Sequence, residues 1–204
     1  MADACCEISP TPSQDLRYRR ILWVALAVNA AMFAVEFAAG LSADSVSLLA
    51  DAIDFLGDAA NFGVSLAVLG LPLVWRARAA LVKAAAMGGY GLVVLALAMH
   101  NLVAGIVPHA PTMGAVALLA LLANVGVAAL LYAERTGDSN RQSVWLCSRN
   151  DAIGNLAVIA AAGLVSVTGT GIADVAVAAA MAALGLSAAA RVARTAVREL
   201  ASPA

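Results

Sequence analysis

Residues 45 to 61 read SVSLLADAIDFLGDAAN, a run apolar enough to lie in a membrane yet carrying three carboxylates. At 3.6 residues per turn, Asp51, Asp54 and Asp58 fall within an arc of roughly 60° on one helix face. The rest of that helix is Leu, Ile, Phe, Val, Ala and Gly. An ionised Asp at a bilayer centre costs about 2.5 to 3.5 kcal/mol even on a lenient scale. Three on one stripe therefore face protein rather than lipid, and something positive is expected to meet them.

The chain around this run is of the same kind. Of its 204 residues, 63% are hydrophobic and 12% charged, with a mean hydropathy of +0.90. Soluble domains carry about a quarter charged residues. An all-α membrane protein with six transmembrane helices is expected, over residues 20 to 41, 46 to 71, 80 to 107, 112 to 133, 141 to 167 and 171 to 190. Each is near the roughly 20 residues that cross about 30 Å of hydrocarbon. Residues 1 to 16 read as a flexible cytoplasmic tail without a secretory signal, 17 to 190 as the membrane domain, and 191 to 204 as a short basic cytoplasmic segment. In that segment Arg191, Arg194 and Arg198 share a face suited to the inner headgroup surface.

The net charge of -1 matters less than where the charges fall. Arg17, Arg19 and Arg20 precede the first predicted helix. Arg76, Arg78 and Lys83 lie in the second break, Arg135 and Arg141 in the fourth, and the three arginines just named follow the sixth helix. The other breaks, near residues 41 to 45, 107 to 112 and 168 to 171, hold no Lys or Arg. The positive-inside rule then places both termini in the cytoplasm of a multi-pass protein of the inner, or plasma, membrane. The three cysteines, Cys5, Cys6 and Cys147, include an adjacent pair that does not readily bridge itself, so a disulfide framework is not expected.

The acids inside the predicted spans are Glu36, Asp51, Asp54, Asp58, Asp151 and, at an edge, Asp174; Arg149 is the one intramembrane base, read as snorkelling toward the inner surface. Such an excess of carboxylates must take up protons, bind a cation, or alternate between the two. Asp54 and Asp58 are one turn apart on one face. Cys147, Asp151 and Asn155 repeat that interval on the fifth helix, within roughly 80°. Carboxylates with a thiolate form a donor set suited to a tetrahedral divalent ion, zinc first, with cadmium, cobalt, nickel or iron conceivable. Loading such ligands releases protons, which ties metal movement to proton movement.

The run SLLADAIDFLGD resembles the second-helix signature of the cation diffusion facilitators, divalent-metal/proton antiporters, and CSRNDAIGNLAVI resembles their fifth-helix signature. AMFAVEFAAG with Glu36, Asn124, and Asp174 near the start of the sixth helix add to the likeness, which covers about residues 20 to 195. Two departures stand out. Cys147 occupies the position where that family usually has His, so the fourth ligand is a thiol, Asn155 or water. The cytoplasmic domain that often follows the sixth helix is not expected here, so any homodimer forms through membrane helices.

The metal ligands implied are Asp54, Asp58, Cys147 and Asp151. Asn155, Asp51 and Glu36 are expected to support them or to carry protons, with Asn29 on the face of Glu36. Cys5 and Cys6 are candidates for capturing soft metal at the cytoplasmic entrance. No P-loop, nucleotide fingerprint or hydrolytic triad is present, so neither an enzyme nor a nucleotide-driven pump is expected. Lipid is the expected partner, with no nucleic acid. The expected function is proton-coupled efflux of a divalent transition metal by alternating access; the alternative is a non-transporting metal-sensing or assembly subunit.

Overall fold

The computed structural model describes residues 16 to 67, 73 to 132 and 139 to 201, with the side chains of the fifth helix described from Asp151 onward. The described residues form six helices: α1 (Leu16–Ser42), α2 (Val46–Ala67), α3 (Leu73–Ala104), α4 (Ala110–Tyr132), α5 (Ser139–Thr168) and α6 (Ile172–Ala201). Five contain windows long and apolar enough to cross a membrane. The exception is α2, which carries Asp51, Asp54 and Asp58 and is the most enclosed helix.

The three outer turns share one solution to chain reversal. Each places a residue with positive φ just past a helix end: Asp44 at 53°, Gly105 at 66° and Gly169 at 65°. The orphan carbonyls of the last turn are then reached from behind. Ser45 N donates to Gly40 O at 3.0 Å, and Ile106 N donates to Asn101 O at 3.0 Å. Asp at the first of these positions is tolerated because its short polar side chain suits the left-handed region. The turns are also tied to one another. Asn101 Nδ2 donates to Asp44 O at 3.2 Å, and His109 N donates to Ala43 O at 2.9 Å. Gly171 approaches Ile106 so closely that a Cβ there would lie 2.2 Å from its carbonyl oxygen.

Helix α2 is the axis of the bundle. It packs against α1, α3, α5 and α6, and α3 lies along α6 as α4 lies along α5. Residues Ser45 to Ile53 are buried without interruption. Each apolar core cluster among the described residues includes part of α2, through Val46, Leu48, Phe55 or Phe62. Lipid tails are as apolar as these side chains, so the bundle is held by close van der Waals packing rather than by exclusion of water. Buried Ala25, Ala117, Ala120, Ala178 and Ala182 permit that approach. Leu122, Val103, Val167 and Leu184 point outward, as lipid-facing groups should.

Three expected boundaries move. Helix α1 begins at Leu16 rather than near residue 20, so Arg17, Arg19 and Arg20 lie in its first turns instead of before it. Helix α3 begins at Leu73 rather than near residue 80, and α6 continues through Ala201 instead of ending at 190. At α3 and α6 the charged residues suggest a break, but ARAALVKAAAM and AAARVARTAVREL contain no Gly or Pro and favour helix throughout. Arg78 and Lys83 therefore belong to α3, and the basic C-terminal segment continues α6. Residues 1 to 15, with Cys5 and Cys6, lie outside the described part.

Candidate metal centre

The position of α2 is fixed at its outer end by a carboxylate from another helix. Asp174, in the first turn of α6, accepts from Val46 N at 2.9 Å and Ser47 N at 3.1 Å, while Ser45 Oγ accepts from Leu48 N at 3.3 Å. Three N–H groups that the helix cannot satisfy internally are thereby paired, and a negative charge sits where the helix dipole favours it. Asp174 is thus a cap.

Below this cap the acidic stripe runs inward. Asp51 is buried, and Glu36 of α1 lies within interaction range of it. None of their four carboxyl oxygens has a hydrogen-bond partner of normal geometry. Tyr90 of α3, whose hydroxyl is likewise unpartnered, lies near enough to Glu36 for an electrostatic interaction. One turn further in, Asp54 lies between the charges of Asp51 and Asp58. Asp58 and Asp151 then face each other across α2 and α5 within hydrogen-bonding reach. Asp54, Asp58 and Asp151 are partly accessible, in contrast to the sealed Glu36 and Asp51.

Asn155, one turn outward of Asp151, is completely buried, and neither its amide nitrogen nor its oxygen has a partner. Buried amides and carboxyls are nearly always paired, and each orphan needs a reason. Asn29 is less exceptional, because its Nδ2 donates to Ala25 O at 2.8 Å. Cys147 lies on α5 one turn before Asp151, but its side chain, like that of Arg149, is outside the described set. Among the described residues no three His, Cys, Asp or Glu side chains converge closely enough to hold a metal ion.

Sequence reasoning missed the base that meets these acids. The sequence groups Lys83 with the charged break rather than with the acids; it lies within α3, and its Nζ donates to Asn61 Oδ1 of α2, while the side chain of Arg149, the expected intramembrane base, lies outside the described residues. The charge of Lys83 acts on Asp58. The detectable signal was the Ala-rich, breaker-free sequence on both sides of Lys83, which keeps the helix intact through the charge.

Residues 22 to 71 and 76 to 201 match the family model of the cation efflux transmembrane domain, spanning all six helices. The chain belongs to the cation efflux family. No curated protein matches the chain. Cation efflux proteins are multi-pass membrane transporters of divalent metal cations, not enzymes.

Proposed function

We propose that the protein exports a divalent transition metal, zinc foremost, from the cytoplasm across the plasma membrane in exchange for protons. The observation that carries this reading is the approach of Asp58 on α2 to Asp151 on α5 inside the bundle. Two carboxylates at that range repel when both are ionised, and either a proton or a divalent cation between them relieves the repulsion. The same pair therefore serves both ions in turn.

In this reading Asp54, Asp58 and Asp151 bind the metal with Cys147 as the fourth donor, and small rearrangements draw them together around it. Cys147 sits one helical turn from Asp151, the spacing that lets both reach one ion. Protons arriving from outside displace the metal, and the more alkaline interior removes them again. Helices bearing the acids rock between inward-open and outward-open arrangements around a midplane site. Asn155 orients Asp151 or completes the metal shell, and Glu36 with Asp51 forms a proton route. Cys5 and Cys6 deliver soft metal, and two copies associate through their apolar helix faces.

Proteoliposomes loaded with a metal-sensitive dye test this. Zinc flux should depend on an imposed pH gradient and should fall at least a hundredfold in Asp58→Ala and Asp151→Ala. Tight zinc binding without flux in the unmodified protein would instead favour a sensing or assembly subunit.

A further inference from the structure

We propose that Lys83 is a tethered cation that competes with the transported metal for the α2 carboxylates and so sets the affinity of loading. The inference rests on the metal reading given above and adds a residue that reading does not use.

Its position follows from the register of two helices. α2 and α3 run antiparallel, and the end of the Met87 side chain on α3 lies over Gly57 on α2, with Met87 Cε 2.8 Å from where a Cβ would stand. One turn further toward the cytoplasmic end, Asn61 on α2 accepts a hydrogen bond from Lys83 on α3. Gly57 and Asn61 are four apart, as are Lys83 and Met87, so the two contacts are successive rungs of one interface. Asn61 lies about 22 Å along α2 from its outer end, within the roughly 30 Å of hydrocarbon. The ammonium is therefore held at membrane depth, one turn from Asp58, and its charge reaches that carboxylate.

A lysine that only packed its stem would carry its charge out to the headgroups. Here the head group is instead anchored inward on a side-chain amide. The carboxylates that face it are Asp58 and, across from Asp58, Asp151 on α5. A fixed monovalent charge in that place raises the potential felt by any divalent ion entering beside it. It holds the empty site in place of substrate and makes the loaded site easier to empty.

Zinc binding to the purified full chain, measured by calorimetry, tests the idea. Lys83→Gln keeps length and a hydrogen-bond donor but removes the charge, and it should bind zinc about tenfold more tightly. Lys83→Met should do the same, and Lys83→Arg should stay within about threefold of the unmodified protein. In proteoliposomes the neutral variants should show a lower KM together with a lower kcat, which a merely structural lysine would not produce. Asp58→Ala is measured alongside. If it loses binding while Lys83→Gln and Lys83→Met bind no more tightly than the unmodified protein, the tethered-cation proposal is overturned and the metal reading survives. If Asp58→Ala binds zinc normally, both are overturned.

Discussion

The carboxylate of Asp174 accepts a 2.7 Å hydrogen bond from Ser45 Oγ, linking the first turn of α6 to the first turn of α2 across 129 residues of sequence. With the backbone bonds it also receives, this contact holds the helix that bears the acids in register with the rest of the bundle. Asp174→Ala leaves buried N–H groups unpaired and should destabilise the protein by about 1 to 3 kcal/mol. Asp174→Asn, which keeps an acceptor, should cost less. Thermal unfolding in detergent gives the ranking, and zinc affinity of the folded fraction should be unchanged because Asp174 serves as a cap.

Two glycines should respond differently to the same added methyl group. A Cβ at Gly57 meets the flexible end of Met87, whereas one at Gly171 meets the backbone carbonyl of Ile106. Gly57→Ala should be tolerated within about 1 kcal/mol as Met87 shifts, while Gly171→Ala should cost about 1 to 3 kcal/mol. Equal melting temperatures for the two variants would contradict this account of the outer turns.

Asn155 separates stability from transport. Its amide is buried with neither end paired, so Asn155→Leu removes a desolvated polar group and should leave the melting temperature unchanged or raise it. Zinc flux should nevertheless fall at least tenfold. Loss of stability without loss of flux would make Asn155 a packing residue.

Cys147 should govern which metal is preferred. Thiolate favours softer ions and imidazole suits zinc. Cys147→His should lower the ratio of cadmium to zinc affinity by about tenfold or more, and Cys147→Ser should weaken both. Competition binding with the two metals reads the ratio directly.

The sequence carried the helices because apolar length is a one-dimensional signal, and the basic residues confined to alternate breaks set the expected sidedness. It also carried the acidic face of α2, since Asp51, Asp54 and Asp58 follow the helical period. It did not carry the meeting of Lys83 with Asn61, which depends on the register between α2 and α3. A charge cluster by itself does not end a helix, and neither the run around Lys83 nor that after Ala190 holds a Gly or Pro to do so. Asp174 could be placed near the start of α6, but its partner was invisible because a cap supplied by another helix leaves no local motif. Glu36 and Asp51 could each be placed on a face, yet their proximity arises from how α1 crosses α2.

The lacing of the outer turns has a cost for the transport cycle. Asn101 to Asp44, His109 to Ala43 and Asp174 to Ser45 fasten three chain reversals together at one rim. Letting cargo out on that side means unfastening some of them, at about 1 kcal/mol apiece. In the proposed alternating cycle, that toll is small enough for thermal motion to meet, and large enough to keep the far door shut while the near one stands open.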